Sequence, residues 1–341
     1  MKILILKPSS LGDVIQALPV LRLLKLHWPH SEIHWWIDSA FASLLEHDPD
    51  LKGIVRFERR RWGKPIYWPE MIRSIQWLRA QHFDLVIDLQ CLARSGSFAW
   101  LTRGEFLIGL DEAREGARGF YDIAVPRMSF ETHAVDWYLS VLDWLNVPVH
   151  FDFQWLPPQI ATAAAVQQRW FTAENRWVVL QPGARWDNKR WPVEYFAALV
   201  QAMSGEYPGV RFAILGGKDD QPLGATISHA APDRCLNLCG QTTLPEMVEC
   251  VRLSDLMVTN DTGPMHVAAA LDKPMVGIFG PTDPRRTGPY RRPETVIRVE
   301  LPCAPCLKSR CAYLKPMECL RAISPGMVLE RVHQQLPASS A

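Results

Sequence analysis

Short apolar runs alternate along the chain with longer stretches in which apolar residues recur every three to four positions. In the first half the runs are ILIL (3–6), EIHWWI (32–37), IVRF (54–57) and LVIDL (85–89). Helical spacing fills the intervals at about 12–27, 69–81 and 94–102, again at 131–146, and briefly in FASLLEHD (41–48). Runs such as LVIDL, apolar with almost no alternation, suit parallel strands covered on both faces. The second half repeats the scheme with WVVLQPG (177–183), VRFAILGG (210–217), LMVTND (256–261) and PMVGIFG (274–280), separated by helical patterns at about 192–205, from 220, and at 264–271. Alternating strands and helices of this kind predict an α/β protein with two Rossmann-like parallel sheets. The segment VPVHFDFQWLPP (147–158) interrupts the pattern and marks the boundary. The expected divisions are a first domain over 1–165, a second over 175–325, and a C-terminal helix and tail over 326–341. Two such domains facing each other would bring their strand carboxyl ends to one interdomain cleft, where ligands of open α/β sheets bind.

Composition agrees with two cores. The 341 residues exceed what one core usually holds, at roughly 150 residues per domain, and 48% of them are hydrophobic. Lys plus Arg number 37 and Asp plus Glu 36, so the net charge of +1 gives no basis for nucleic-acid binding. Any basic function is local. All 14 Trp lie between Trp28 and Trp191, so the two halves differ in what they bury or touch; Trp77, Trp137 and Trp144 fall at expected helical core positions. No run approaches the roughly 18 apolar residues needed to cross a bilayer, and the start MKILILKPSSLGDV has no signal-peptide pattern. A cytoplasmic location is expected, with eight Cys too sparse for a disulfide scaffold.

Three strand ends carry the candidate chemistry. KPSSLGD, from Lys7 to Asp13, is a polar turn at a helix start, where free N–H groups favour an anion. Asp13 has two readings: a cap of that helix, or a general base that removes a proton from a hydroxyl nucleophile. PGARWDNKRWP (182–192) gathers Arg185, Lys189 and Arg190 before a Trp-Pro helix start, suited to a phosphate or to solvent. In VTNDTGPMH (258–266) a strand ends in Asn260 and Asp261, and Thr262 and Gly263 lead into a helix with Pro264 in its first turn. Donors there, with Lys189, would stabilise a departing diphosphate without a metal. His266 follows, as a ligand contact or a buried core histidine. Neither G-x-G-x-x-G nor G-x-x-x-x-G-K-[ST] is present.

RFERRRWGKPIYW (56–68) places Arg56, Arg59, Arg60, Arg61 and Lys64 beside Trp62, Tyr67 and Trp68. Guanidinium groups and aromatic rings together suit an anionic sugar on a lipid, or form a solvated basic loop. Near the C-terminus Cys303, Cys306, Cys311 and Cys319 lie within 17 residues. They are candidate ligands of a structural zinc or iron–sulfur centre, or reduced structural thiols, since the spacing lacks the two Cys-x-x-Cys pairs of a zinc ribbon.

Taken together, KPSSLGDVIQALP (7–19), DLVIDLQCLARSG (84–96), NKRWP (188–192), GQTTLPE (240–246), NDTGPMHVAAAL (260–271) and FGPTDPRRTGPY (279–290) resemble the heptosyltransferases of glycosyltransferase family 9. KPSSLGD and the Arg-Arg-Trp run are similar to family enzymes that add the first heptose. The resemblance implies a GT-B fold and an inverting, metal-independent transfer of heptose from ADP-heptose to the lipopolysaccharide inner core. It makes Asp13 the general base. It places Lys189, Thr262 and Gly263 at the donor phosphates, Glu246 near the donor ribose, and Asp261 and His266 in the donor pocket. On the acceptor side it points to Ser10 and to an arginine, Arg60 foremost and Arg61 beside it. The partners so implied are an ADP-sugar donor and an anionic glycolipid acceptor, met by a monomer in peripheral contact with the cytoplasmic face of the inner membrane. No cofactor is expected for catalysis. A nucleotide-sugar epimerase and a non-catalytic nucleotide-sugar-binding module are the alternatives: an epimerase would consume donor without acceptor, and a binding module would turn nothing over.

Overall fold

The apolar runs become strands buried on both faces, with helices packed over them. The computed structural model describes residues 1–112, 115–172 and 174–336, and the chain divides into two units, Met1–Pro157 and Pro158–Ala341. In the first, β1 (Lys2–Leu6), β2 (Glu32–Asp38), β3 (Gly53–Phe57), β4 (Leu85–Asp88), β5 (Phe106–Asp111) and β6 (Ile123–Pro126) form a sheet in the order β3-β2-β1-β4-β5-β6. Every pairing is parallel. The helices are α1 (Leu11–His27), the short α2 (Arg59–Trp62), α3 (Trp68–Ala80), α4 (Ala93–Leu101) and α5 (Ala134–Trp144). FASLLEHD, for all its helical spacing, forms only a 3-10 turn over Ala42–Leu44.

α1 has almost no polar side: it is buried without interruption from Val14 to Leu24, which is why its sequence shows no amphipathic stripe. The one charge in that stretch, Arg22, is paired by Asp48 and Asp50, with Nη1 2.6 Å from Asp50 Oδ2, and donates to the Trp155 carbonyl. Paired in this way, a guanidinium can sit in a core.

The sheet's other face holds an aromatic cluster. Trp36 lies 4.3 Å from Phe57 and 4.9 Å from Phe98 between ring centroids, and Trp62 stacks on Phe98 at 5.9 Å. Trp62 is therefore core, although its Arg-rich neighbours suggested a surface ring. Trp137 is buried as its helical position suggested, whereas Trp77 and Trp144 are exposed. Each lies on the outer side of a helix whose other side already fills the core.

Within β5, Gly109 leaves room for Tyr121. A Cβ there would lie 2.5 Å from the Tyr121 ring, whose hydroxyl donates to the fully buried Asp88 at 2.7 Å. Burial pushes the Asp88 carboxyl up from its ordinary value, opposed by the bonds it accepts from Tyr121 and Ser95. Gly109→Ala should therefore displace Tyr121 and destabilise the protein by about 1–3 kcal/mol. Chemical denaturation would show this as a lower midpoint; an unchanged midpoint would mean the loop after β5 gives way freely.

The second unit begins with α6 (Ile160–Arg169), followed by β7 (Arg176–Gln181), α7 (Val193–Glu206), β8 (Val210–Ile214), α8 (Gln221–Ser228), β9 (Cys235–Asn237) and α9 (Leu244–Leu253). β10 (Leu256–Asn260), α10 (Gly263–Ala270), β11 (Met275–Ile278), α11 (Pro284–Thr287), β12 (Val296–Ile297), α12 (Glu318–Arg321) and α13 (Pro325–Gln335) complete it. The sheet order is β12-β11-β10-β7-β8-β9, again parallel. α6 packs on α9. α13 packs on α7, so that Val328, Val332 and Leu336 join Val200 and Met203 in one core. The C-terminal helix thus belongs to the second unit, whose division from the first falls at Pro157, ahead of the 165–175 interval. Residues 337–341 of the expected tail lie outside the described residues.

Candidate active site

In the first unit the carboxyl end of β1 opens into the Lys7–Asp13 loop. Lys7 is buried, donating to the Leu89 carbonyl at 2.8 Å with its ammonium 4.5 Å from the centre of the Tyr138 ring. Asp13 stands in the first turn of α1. Its Oδ2 accepts from the Ser10 amide at 2.8 Å and from the Ser10 hydroxyl at 2.6 Å. Asp13 thus forms helix-start bonds, and Ser10 serves it directly. Its other oxygen, Oδ1, lies 3.4 Å from the Tyr138 hydroxyl. Burial foremost, and then the Asp13 charge, push the Tyr138 phenol well above its ordinary value, so it remains a neutral donor toward that carboxylate. Tyr138 was not singled out in the sequence; it lies on α5, more than a hundred residues from Asp13, with no motif around it.

The carboxyl end of β3 leads into α2, where the arginines take different roles. Arg61 pairs with Glu70 at 3.0 Å and lies 4.6 Å from the centre of the Tyr67 ring. Arg60 is exposed and forms no ion pair among the described residues. An anionic ligand would therefore find Arg60 available and would have to compete with Glu70 for Arg61.

In the second unit the strand ends converge. Asn260, at the end of β10, accepts from the Trp191 amide at 3.0 Å and donates to the Pro182 carbonyl at 2.7 Å. These bonds fasten the 182–192 loop to β10 and bring Lys189 to Asp261. Lys189 Nζ lies 2.6 Å from Asp261 Oδ2, which also accepts from the Thr282 hydroxyl at 2.5 Å. The ammonium is 4.8 Å from the centre of the Trp186 ring. Asp261 is buried and Lys189 largely so, so the ion pair fixes where the ammonium points.

Thr262 precedes α10 with extended backbone, and its side chain does not cap the helix; Gly263 and Pro264 form the first turn, and His266 is buried on the same helix. A positive helix end thus stands beside Lys189, an arrangement that stabilises oxyanions. Thr282 was visible in the sequence only as part of the FGPTDPRRTGPY run (279–290).

Glu246 is placed differently. Its Oε2 closes a capping box at the start of α9, accepting from the Thr243 amide at 2.7 Å and hydroxyl at 2.9 Å, and Oε1 lies 3.8 Å from Arg169. The GQTTLPE motif is thus first a helix start.

Asp220, missed in the sequence, packs against two glycines. A Cβ at Gly183 would come within 2.3 Å of its carboxylate and one at Gly216 within 2.7 Å of its Cβ. The Gly-Gly pair closing VRFAILGG was the available signal.

The expectation of a zinc or iron–sulfur centre is corrected. Among the described residues no group of three or more His, Cys, Asp or Glu is arranged to hold a metal ion, and Cys303, Cys306, Cys311 and Cys319 are free thiols. Cys319 packs against Gly280 at the edge of the core, where burial, and then its cysteine neighbours, push its thiol up to about 11. Exposed Cys311 accepts instead from the Met317 amide at 3.3 Å. The loop they occupy is fastened by Asn188 donating to the Lys308 carbonyl at 2.8 Å and by the Leu307 amide donating to Pro281.

Two Rossmann-like parallel-sheet units are the architecture of the GT-B class of glycosyltransferase fold. The family model described as glycosyltransferase family 9 (heptosyltransferase) matches residues 71–316, and the chain belongs to that family. It is 32% identical to lipopolysaccharide heptosyltransferase 1 of Pseudomonas aeruginosa over 331 residues, covering 92% of this chain and 88% of that protein. Lipopolysaccharide heptosyltransferase 2 of Salmonella typhimurium is 27% identical, over 98% of this chain and 99% of its own length. The solved structure of ADP-heptose lps heptosyltransferase II from E. coli superposes with a TM-score of 0.80 over 98% of each chain at 24% identity, which shows the shared fold.

Proposed function

We propose that the protein transfers heptose from an ADP-heptose donor to the inner core of a lipopolysaccharide acceptor, with inversion and with Asp13 as general base. The observation that carries this reading is the Lys189–Asp261–Thr282 cluster beside the start of α10, a cation and a helix start that suit a diphosphate, in a chain of the heptosyltransferase family. Asp13 takes the proton of an acceptor hydroxyl while that oxygen attacks the anomeric carbon opposite the diphosphate. The carbon–oxygen bond to the leaving group breaks as the new one forms, and one displacement inverts the centre. Lys189 and the Thr262–Gly263 helix start take up the charge on the released diphosphate, so the reading assigns no metal to the step. Glu246, Asp261 and His266 are the donor-side residues of this reading, and Ser10, Arg60 and Arg61 the acceptor-side ones. The protein works in the cytoplasm as a monomer, in peripheral contact with the membrane that carries its acceptor.

The similarity to lipopolysaccharide heptosyltransferase 1 of Pseudomonas aeruginosa and the Lys7–Asp13 loop favour addition of the first heptose. Incubation with a panel of nucleotide-sugars and truncated lipopolysaccharides, with mass detection, tests this. One heptose added to the acceptor with release of ADP is expected. Donor converted without acceptor would make it an epimerase, and binding without turnover a binding module.

The unequal arginines give a sharper expectation. Arg60→Ala should raise acceptor KM roughly tenfold or more, the worth of a charge-assisted contact, while donor KM stays within about a factor of two. Arg61→Ala should do less, because Glu70 already engages that guanidinium. Equal, negligible effects of Arg60→Ala on both constants would remove the acceptor role.

A further inference from the structure

The segment from α2 through α3 carries apolar residues on two sides. Met71, Ile75 and Leu78 point inward onto the aromatic cluster of the first unit. On the outside stand Ile66, 79% exposed, with Trp68, Ile72 and Trp77 each about half exposed. A helix whose core face is already satisfied gains nothing inside the fold from a second apolar face, and water opposes it.

The same segment is strongly basic. Residues 59–80 hold Arg59, Arg60, Arg61, Lys64, Arg73 and Arg79 against a single acid, Glu70, in a chain whose overall charge is close to zero. Glu70 is taken by Arg61. Arg59, Arg60, Lys64 and Arg73 form no ion pair among the described residues and are exposed. Isoleucines and tryptophans flanked by unpaired arginine and lysine suit the boundary of an anionic bilayer, where rings and aliphatic groups enter the headgroup region and cations meet lipid phosphates.

Position supports the same occupant. All strands of the first sheet are parallel, so the loops after β3 and β1 leave the same edge. In the order β3-β2-β1 they are two strand spacings apart, about 10 Å. The basic-apolar segment therefore starts beside the loop that carries Asp13. On the far side of that loop, after β6, Met128 and Phe130 are also exposed on this edge.

We propose that the outer face of α2–α3, with Ile66, Trp68, Ile72 and Trp77 as its apolar contacts and Arg59, Lys64 and Arg73 as its cations, docks the protein on an anionic lipid surface and presents the Asp13 loop to a membrane-held acceptor. The functional part of this proposal rests on the transferase reading above; the docking itself does not.

Flotation with vesicles tests it, using the full chain and comparing phosphatidylcholine alone with phosphatidylcholine containing about one-third phosphatidylglycerol. The wild-type protein should float with the anionic vesicles, less so at high salt, and not with the neutral ones. The double variant Ile66→Ser/Ile72→Ser and, separately, Arg73→Glu should each weaken this partition at least tenfold. Both should keep the wild-type unfolding midpoint and its kcat on a water-soluble, delipidated acceptor. No flotation of the wild type, or variants that float as it does, would overturn the proposal. So would a dimer in solution that Ile66→Ser/Ile72→Ser converts to monomer, because the face would then belong to a second copy. Vesicle binding lost as expected in a protein that transfers no sugar would leave the docking standing and remove the transferase reading.

Discussion

Asp13→Asn is expected to lower kcat by roughly a thousandfold, within the range of about 10²–10⁴ that a positioned base contributes, while donor affinity is retained. The geometry makes this a clean test. Oδ2 of Asp13 accepts from the Ser10 amide and hydroxyl, and Oδ1 accepts from the Tyr138 hydroxyl at 3.4 Å. Asparagine keeps an acceptor oxygen for the start of α1 and loses the basic lone pair. Its cost to stability should therefore stay near that of a weakened cap, about 1 kcal/mol. Steady-state rates with saturating acceptor, donor binding by calorimetry and a thermal melt separate the two roles. Were the folded, donor-binding variant to turn over at near the wild-type rate, Asp13 would be a cap and nothing more.

Lys189→Ala is expected to reduce kcat/KM for the donor by roughly 10²–10³, the usual loss when one oxyanion donor is removed from a preorganised site. Before donor binds, the Lys189 ammonium lies 2.6 Å from Asp261 Oδ2, already desolvated and oriented. A diphosphate arriving beside α10 meets a cation already placed there, and Thr282 continues to hold Asp261 as the ammonium turns toward the phosphate. Acceptor KM should change little. Removing the lysine also leaves a buried carboxylate with one partner fewer, so a lower unfolding midpoint should accompany the kinetic loss. A variant with unaltered donor kinetics would show that the helix start carries the phosphate charge alone.

The strands of this protein were legible because a parallel strand covered on both faces must be apolar at nearly every position, and that demand is written into consecutive residues. ILIL, LVIDL, VRFAIL and LMVTN needed no partner to be recognised. The edge strands β6, β9 and β12 escaped notice because four, three and two residues carry little pattern. β5 escaped as well, although it is interior. FASLLEHD misled in the other direction, its helical spacing serving only a turn between β2 and β3.

The candidate site divides in the same way. The loops at 7–13, 182–192 and 260–264 could be picked out because each follows a strand and carries turn and helix-start residues. That Lys189 meets Asp261, however, depends on Asn260 bonding to both Pro182 and Trp191. The Tyr138 contact to Asp13 depends on α5 packing on α1. Trp62 and Trp68 looked alike beside the arginines, yet Phe57 and Phe98 take Trp62 into the core and leave Trp68 outside. The four C-terminal thiols have a suggestive spacing and lie around one pocket, but among the described residues they are not arranged as a group that could hold a metal ion.

The sequence by itself determined the α/β class, the parallel strands, the helix starts and the loops that carry charge. Those are set by neighbours along the chain, through burial period, capping and turn chemistry. Only the tertiary structure decided which charges are paired, which tryptophans are core and which side chains share a site, because those outcomes depend on residues far apart in sequence and brought together by packing.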